Sequence, residues 1–125
     1  MIMLKDNHID YCGGIEQAID KAWNYVQTVK PGLKIEVETR TLADVEKVLA
    51  TGKVNRIMLD NFTPKEIAKT ITRLKKLGLR NKVLLEASGG VNSKNIQAFA
   101  KTGVDVISVG EITNSVKGID FSLEI

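Results

Sequence analysis

The sequence predicts an α/β protein with about five parallel strands, and three observations support this prediction. Five short apolar runs recur along the 125 residues, and amphipathic segments of helix length separate them. Each run ends in a polar or glycine residue, as strands do where they enter a loop. Strands joined through helices run parallel with right-handed crossovers. Because five strands do not close an eight-stranded barrel of about 250 residues, the pattern favours a partial (β/α) barrel over an independent open sheet.

The first repeat is one strand followed by one helix. The run MIMLK, residues 1–5, is the first strand, and a loop with His8 and a Gly13-Gly14 turn follows it. Apolar residues at helical spacing predict a helix over about residues 15–30; they are Ile15, Ala18, Ile19, Ala22, Val26 and Val29. Since a buried parallel strand needs neighbours on both sides, we expect further sequence to precede the first strand.

Capping signals define the second repeat. Its strand is Lys34–Glu38, and its helix begins after Thr41 and ends at Gly52. Threonine is a preferred N-cap, and glycine is the usual residue just past a helix C-terminus. The apolar residues between the two caps recur at helical spacing, so this segment is predicted to pack on the sheet.

The third repeat carries the clearest helix start in the chain. Its strand is Arg56–Leu59, and the segment Thr63-Pro64-Lys65-Glu66 that follows is a capping box with proline at the first helical position. Gly78 is predicted to close the helix. Strand, loop and helix thus follow each other in the same order as in the first two repeats.

The last repeats contain most of the small residues. The fourth strand is Lys82–Glu86, followed by a Ser88-Gly89-Gly90 turn and a helix capped by Asn92 or Ser93. The fifth strand is Val104–Val109. The whole chain is therefore predicted to be one domain, residues 1–125, that forms part of an α/β barrel.

Composition excludes several functional classes. The net charge is +3, but the 18 Lys and Arg are interleaved with 15 Asp and Glu, which argues against a nucleic-acid-binding surface. No apolar run approaches the roughly 20 residues of a membrane span. The single cysteine, Cys12, cannot form an internal disulfide, which is typical of a reducing compartment. We therefore expect a cytoplasmic protein that binds neither nucleic acid nor membrane.

Charged residues lie at the carboxyl ends of the first three strands, where parallel α/β proteins keep their active sites. They are Lys5, Glu38 and Asp60. A lysine can meet a carboxylate or phosphate as a point charge, and two neighbouring carboxylates suit Mg²⁺ or the hydroxyls of a ribose. Alternatives stay open: Glu36 and Glu38 could form an ion pair with Lys5 or Lys34, and Asp60 could cap a turn.

Glycine turns after the fourth and fifth strands predict an anion site. Ser88-Gly89-Gly90 presents backbone N–H groups ahead of a helix start, and Gly110 does the same one strand later. Each turn alone is also an ordinary βα connection. Together, on adjacent strands, the two turns favour a phosphorylated ligand.

Five short motifs occur in series along the chain: Lys5–Ile9, Glu36–Glu38, Leu59–Phe62, Glu86–Gly90 and Ser108–Gly110. In this order and spacing they resemble quinolinate phosphoribosyltransferase, also called nicotinate-nucleotide pyrophosphorylase (carboxylating). The resemblance covers the whole chain. It implies a reaction of NAD biosynthesis, in which quinolinate and phosphoribosyl pyrophosphate, with Mg²⁺, give nicotinate mononucleotide, pyrophosphate and CO₂.

The resemblance also implies roles for individual residues. The family's lysine that matches Lys5 helps to hold the anionic substrates, and the acids that match Glu38 and Asp60 face the ribose and its metal, so these three are the expected catalytic residues. The family's phosphate-binding residues match Ser88, Gly89, Gly90, Val109, Gly110 and Glu111. The family's site acid on this strand matches Glu38 rather than Glu36.

Two departures from the family limit what is expected of this chain. Family members are more than twice as long, and the N-terminal domain and first barrel strands that bind quinolinate's carboxylates are not in this sequence. We therefore expect little turnover, and the family's homodimer is not carried over. Asn114 replaces a common histidine, and Glu111 adds like charge beside the phosphate. Alternative functions are a non-catalytic phosphate-binding or interaction module, and a related phosphoribosyltransferase linked to molybdenum transport.

Overall fold

The computed structural model describes residues 1–110 and 122–124. Helices connect the parallel strands as the sequence predicts, but two of them follow the first strand. The strands are β1 (Ile2–Leu4), β2 (Ile35–Thr39), β3 (Arg56–Asp60), β4 (Leu84–Ser88), β5 (Val106–Ser108) and β6 (Ser122–Glu124). The helices are α1 (Asp6–Cys12), α2 (Ile15–Thr28), α3 (Leu42–Thr51), α4 (Pro64–Lys76) and α5 (Ile96–Ala100), with a 3-10 helix at Arg80–Lys82.

The strands follow chain order in an open sheet, from β1 to β6. The first five strands are parallel, and β6 pairs with β5 in the antiparallel direction. The prediction of an α/β chain with about five parallel strands, as in a partial barrel, is therefore confirmed. The chain divides into two compact units, Met1–Met58 and Leu59–Ile125, and β3 contributes residues to both.

The first unit buries apolar residues between its strands and helices. Ile2 pairs with Ile35, and Leu4 pairs with Val37, in a parallel register. Helix α2 contributes a buried stripe at helical spacing, consisting of Ala18, Ile19, Ala22 and Val26, and α3 contributes Val45 and Val48. The predicted caps of α3 are both confirmed: the Thr41 hydroxyl accepts the N–H of Asp44, and Gly52 adopts a left-handed conformation.

The second unit follows the same plan. Helix α4 begins with the predicted capping box between Thr63 and Glu66, with Pro64 at its first position. Its buried face packs in the core of the unit and consists of Ile67, Thr70, Ile71 and Leu74. The strands of this unit contribute Leu59, Leu85, Ala87, Val106 and Ile107 to the buried set.

Each unit contains the same two-bond bridge between neighbouring strands. In the first unit, the Asn55 side chain accepts the N–H of Ile35 at 2.8 Å, and the Asn55 N–H donates to the Ile35 carbonyl at 3.0 Å. In the second unit, Asp105 makes the same two bonds to Leu85, at 2.8 and 2.9 Å. Both bridges join residues 20 positions apart, so they fix the register of one βαβ repeat each.

Three sequence predictions of local structure are wrong. The fourth strand is Leu84–Ser88 rather than Lys82–Glu86, because Lys82 belongs to the 3-10 helix that precedes it. The segment after β1 is a helix, α1, rather than a loop, because side chains of its first turn satisfy its free backbone N–H groups. Asp6 accepts from the next N–H, and the Nδ1 of His8 accepts the N–H of Lys5 at 3.2 Å. Helix α5 begins at Ile96, later than a cap at Asn92 or Ser93 predicts, because Asn92 and Asn95 bond each other in a turn.

Candidate active site

Charged residues of the first unit gather at the carboxyl ends of β1 and β2. Lys5 follows β1 directly and is exposed, while Glu38 is the second-to-last residue of β2 and is partly buried. Asp6 and Arg40, which follow these two residues, form an ion pair with Nη2 and Oδ2 2.6 Å apart. The first unit therefore presents a lysine, a carboxylate and an ion pair at the edge where a parallel α/β fold binds its ligand.

The two glutamates of β2 have different environments. Glu36 is fully buried, and both of its carboxylate oxygens have less than 1 Å² of accessible area. Glu38 is only partly buried. A ligand at the strand ends can reach Glu38 but cannot reach Glu36 without opening the interior. Of the two acids, only Glu38 is therefore accessible at the strand end, and its role in a site stays a prediction.

His8 has a local structural role. Its ring is exposed, and its Nδ1 accepts the backbone N–H of Lys5, three residues earlier. The histidine therefore caps the start of α1 and fixes the backbone of Lys5. The hydrogen bond thus gives His8 a part in orienting this segment.

In the second unit, Asp60 ends β3 next to the glycine turn. Asp60 is partly buried, and Asn61 follows it with φ of +58°. The N–H of Asn61 donates to the carbonyl of Ser88 at 2.8 Å. The acid and the predicted anion turn are therefore adjacent, joined through one residue and one hydrogen bond.

The turn after β4 has an unusual backbone. Gly89 and Gly90 both have positive φ, +82° and +74°, which only glycine adopts without strain. A Cβ on Gly89 would lie 2.5 Å from the Asn61 Oδ1. On the other side of the turn, the Nδ2 of Asn95 donates to the carbonyl of Gly90 at 2.8 Å. Turns can present backbone N–H groups that bind anions.

The helix start that the sequence predicts directly after the Ser88–Gly90 turn lies further along the chain, at Ile96. This helix has only five residues, and its N-cap makes no side-chain hydrogen bond. The segment between Gly90 and Ile96 is a turn held by Asn92 and Asn95. Any phosphate binding here therefore depends on the backbone of the turn itself rather than on a helix dipole.

The fifth strand reaches the same edge of the second unit. The hydroxyl of Ser108 donates a short hydrogen bond to Oε1 of Glu86, which is 6% exposed. Val109 is buried and Gly110 is exposed. Gly110 therefore presents its backbone at this edge, and the Ser108 hydroxyl is already bonded to Glu86. Glu111 and Asn114 lie outside the described residues.

The predicted metal ligands, Glu38 and Asp60, have the chemistry that Mg²⁺ requires. Both are carboxylates at strand ends, and Mg²⁺ is usually held by one or two carboxylates together with waters and substrate phosphates. Among the residues that the structure describes, no cluster of three or more His, Cys, Asp or Glu side chains could hold a metal by itself. Magnesium binding by these two carboxylates therefore stays a prediction.

Sequence reasoning assigned no site role to three residues near these strand ends. Arg40, Asn61 and Glu86 each make a contact to a residue of a predicted site motif. Arg40 could have been found, because it continues the alternation of Glu36 and Glu38 by one more step. The contacts of Asn61 and Glu86 depend on strands that are far apart in sequence, so no local signal reveals them.

No helix in the described part of the chain is long and apolar enough to span a membrane.

Comparison with known families matches residues 1–124 to the model described as quinolinate phosphoribosyl transferase, C-terminal domain. A probable nicotinate-nucleotide pyrophosphorylase (carboxylating) from Methanothermobacter thermautotrophicus is 42% identical over 123 residues, which cover 98% of this chain and 43% of the relative. The human nicotinate-nucleotide pyrophosphorylase (carboxylating) is 37% identical over 125 residues, covering 100% of this chain and 40% of the relative. The chain thus spans less than half the length of these relatives.

Solved structures agree with the sequence comparison. The nicotinate-nucleotide pyrophosphorylase from Francisella tularensis superposes with a TM-score of 0.78 at 37% identity, over 98% of this chain and 40% of that one. NadC from Streptococcus pyogenes superposes with a TM-score of 0.77 at 34% identity, over 99% of this chain and 42% of that one. The family match, the relatives and the shared fold lead to one conclusion: this chain belongs to the quinolinate phosphoribosyl transferase family and corresponds to its C-terminal domain.

Proposed function

We propose that this chain supplies the part of a phosphoribosyl-transfer site that binds ribose, metal and phosphate. The reaction is transfer from phosphoribosyl pyrophosphate to quinolinate with decarboxylation, which gives nicotinate mononucleotide, pyrophosphate and CO₂. The observation that carries the proposal is the adjacency of Asp60 to the Ser88–Gly90 turn through the Asn61 hydrogen bond. An acid beside an anion-binding turn matches a ligand in which a ribose neighbours a phosphate.

The chemistry of the reaction explains why these residue types are needed. Breaking the bond between ribose C1 and pyrophosphate develops positive charge on the sugar and negative charge on the leaving group. Fixed carboxylates at Glu38 and Asp60 stabilise the sugar's charge, and Lys5 stabilises an anionic group of a substrate. No covalent protein nucleophile is required. The buried Glu36 takes no part, because it does not reach the strand ends.

Glu38 and Asp60 are the residues that would hold Mg²⁺ on the substrate. When bound, the ion neutralises charge on the pyrophosphate leaving group. The two carboxylates also orient the ribose hydroxyls as hydrogen-bond acceptors. Val109 and Gly110 are proposed to complete the phosphate site with their backbone, and Glu111 belongs to the same proposed loop.

The remaining parts of the proposal concern partners and location. The partners are small molecules, quinolinate and phosphoribosyl pyrophosphate, and neither nucleic acid nor a membrane. We place the protein in the cytoplasm on the strength of its single cysteine and metabolic role. Cell fractionation with an antibody to the chain checks the location, and recovery mainly in an organelle or membrane fraction would contradict it.

Calorimetric titration of the 125-residue chain with a ladder of ligands tests the proposed site. Affinity should rise from inorganic phosphate to ribose 5-phosphate, and again to phosphoribosyl pyrophosphate with Mg²⁺. Asp60→Ala and Glu38→Ala should each weaken the binding of phosphoribosyl pyrophosphate with Mg²⁺ by about tenfold or more, since each removes a charged side chain that is proposed to contact the ligand. Neither variant should weaken inorganic phosphate, because the turn itself is unchanged.

The matched control is Glu16→Ala, which removes an exposed carboxylate from the first turn of α2. Its affinities should equal those of the wild type. If both site variants bind phosphoribosyl pyrophosphate as tightly as the control does, the metal and ribose roles are wrong. Binding of phosphate without any gain from the ribose would instead favour a non-catalytic phosphate-binding module.

A further inference from the structure

The turn after β4 is held from both sides by asparagines. The N–H of Asn61 donates to the Ser88 carbonyl, and the Nδ2 of Asn95 donates to the Gly90 carbonyl, both at 2.8 Å. Neither asparagine belongs to the predicted phosphate site. Each acts on a different carbonyl of the turn, one through its backbone and the other through its side chain.

The geometry of the peptide group gives these two bonds a consequence for anion binding. A peptide unit is planar and trans, so its C=O and the N–H of the next residue point in opposite directions. No cis peptide occurs in the described chain. Holding the Ser88 carbonyl therefore fixes the direction of the Gly89 N–H. Holding the Gly90 carbonyl fixes the Val91 N–H in the same way.

Asn61 makes its bond from a conformation that few residues adopt. It is the one non-glycine residue with positive φ in the part of the chain that the structure describes, at +58°. Asparagine tolerates this left-handed region better than most residues, while alanine and branched residues do not. The backbone N–H of Asn61 faces Ser88 because the chain turns in this way directly after β3.

We infer that Asn61 and Asn95 are positioning residues, which aim the N–H groups of Gly89 and Val91 at a bound phosphate. Asn61 acts through its left-handed backbone, and Asn95 acts through its side-chain Nδ2. The inference rests on the proposed function, because it takes the turn to be the phosphate site. It extends that function to two residues outside the turn and assigns a different kind of contact to each.

The different contacts predict different substitution patterns. Asn61→Gly keeps the N–H and permits the left-handed backbone, so phosphate should bind within about twofold of wild type. Asn61→Ala disfavours that backbone and should weaken phosphate about tenfold, the effect of losing one well-directed hydrogen bond to a charged ligand. Asn95→Asp keeps the oxygen that accepts the Asn92 N–H but removes the Nδ2 donor, so it should also weaken binding.

Nuclear magnetic resonance titration of the 125-residue chain with inorganic phosphate tests this inference. The amide resonances of Gly89 and Val91 should shift and saturate in the wild type and in Asn61→Gly. The control for added charge is Asn92→Asp, which keeps both bonds that its oxygen accepts and should bind phosphate more tightly than Asn95→Asp. Far-ultraviolet circular dichroism at the titration temperature establishes that each variant is folded.

The outcomes separate the inference from the proposed function. If the wild-type Gly89 and Val91 amides do not respond to phosphate, the turn is not a phosphate site and both proposals are wrong in that respect. If the wild type responds and folded Asn61→Ala binds equally well, the positioning role is overturned while the phosphate site remains. Equal affinity of Asn92→Asp and Asn95→Asp would overturn the role of Asn95.

Discussion

At the scale of single residues, two independent constraints exclude a side chain at position 89. The backbone φ of Gly89 is +82°, a region in which L side chains are strained. A Cβ would also lie 2.5 Å from Oδ1, 3.0 Å from Cγ and 3.1 Å from the backbone nitrogen of Asn61. The first constraint is local, and the second exists only because β3 and β4 end side by side.

Comparison of two glycine substitutions separates these constraints. Gly78 also has positive φ, +69°, but a Cβ there would meet no atom within 4 Å. We expect Gly78→Ala to lower the free energy of unfolding by about 1–2 kcal/mol through backbone strain alone. Gly89→Ala should cost clearly more, because the neighbouring Asn61 backbone must also move. Urea denaturation of the two variants measures the difference, and equal costs would contradict the contact.

The residue scale also shows where sequence reasoning reached its limit at the site. The carboxylates at Glu38 and Asp60 and the glycines of the turn could be placed at strand ends, because the ends of parallel strands are set by local patterns. The contact of Asn61 with Ser88 could not be predicted, since it joins residues that come together only when β3 and β4 pair. The choice of Glu38 over Glu36 came from the family resemblance, and the burial of Glu36, which alternation along one strand does not provide, is seen only in the structure.

At the scale of elements, the two-bond bridges of Asn55 and Asp105 hold equivalent repeats with different chemistry. Asn55 is a neutral amide. Asp105 is a carboxylate that also pairs with Arg80, with Nη2 and Oδ1 3.0 Å apart. In both cases a side-chain oxygen accepts the N–H of a buried residue of the preceding strand. The acceptor is therefore the shared requirement, and the charge is not.

Substitutions at the first bridge test this requirement. Asn55→Ala leaves the buried Ile35 N–H without its side-chain acceptor, so unfolding free energy should fall by about 1–3 kcal/mol. Asn55→Asp keeps an acceptor oxygen and should restore most of that loss. Hydrogen exchange at the Ile35 amide gives a local readout. Loss of protection in Asn55→Asp equal to that in Asn55→Ala would show that the bridge does not depend on the acceptor.

Elements with strong local signals were predicted well, and elements without them were not. The starts of α3 and α4 followed from Thr41 and Thr63, whose hydroxyls do accept the expected N–H groups. Helix α1 has few apolar residues and begins after a lysine, so neither periodicity nor capping indicated it. Helix α5 was placed too early because an asparagine can either cap a helix or close a turn, and here it closes a turn.

At the scale of the whole molecule, we expect the 125-residue chain alone to show little or no turnover. Its relatives are more than twice as long, and the resemblance assigns most quinolinate-binding residues to segments that this sequence does not contain. Release of labelled CO₂ from carboxyl-labelled quinolinate, with phosphoribosyl pyrophosphate and Mg²⁺, measures the rate. Typical enzymes turn over about 1–10³ times per second. A rate in that range from the purified chain would contradict this expectation.

If no turnover is detected, a binding measurement on the same preparation serves as the positive control. The same preparation should bind phosphoribosyl pyrophosphate in the calorimetric titration proposed above, which shows that the chain is folded and its ribose and phosphate residues are in place. Binding without turnover is the expected combination. Turnover that disappears in Asp60→Asn would instead assign the complete reaction to these residues.

The strand order within each unit has a consequence for how the chain acquires its structure. Ile2 pairs with Ile35, and Glu86 pairs with Val106. Strands β2 and β5 therefore each pair with the strand that comes just before them in the sequence. Short separations lower the entropy lost in closing each loop and favour rapid formation of the contacts. During synthesis, which proceeds from the N-terminus, each such strand can therefore pair as soon as it emerges, because its partner is already present.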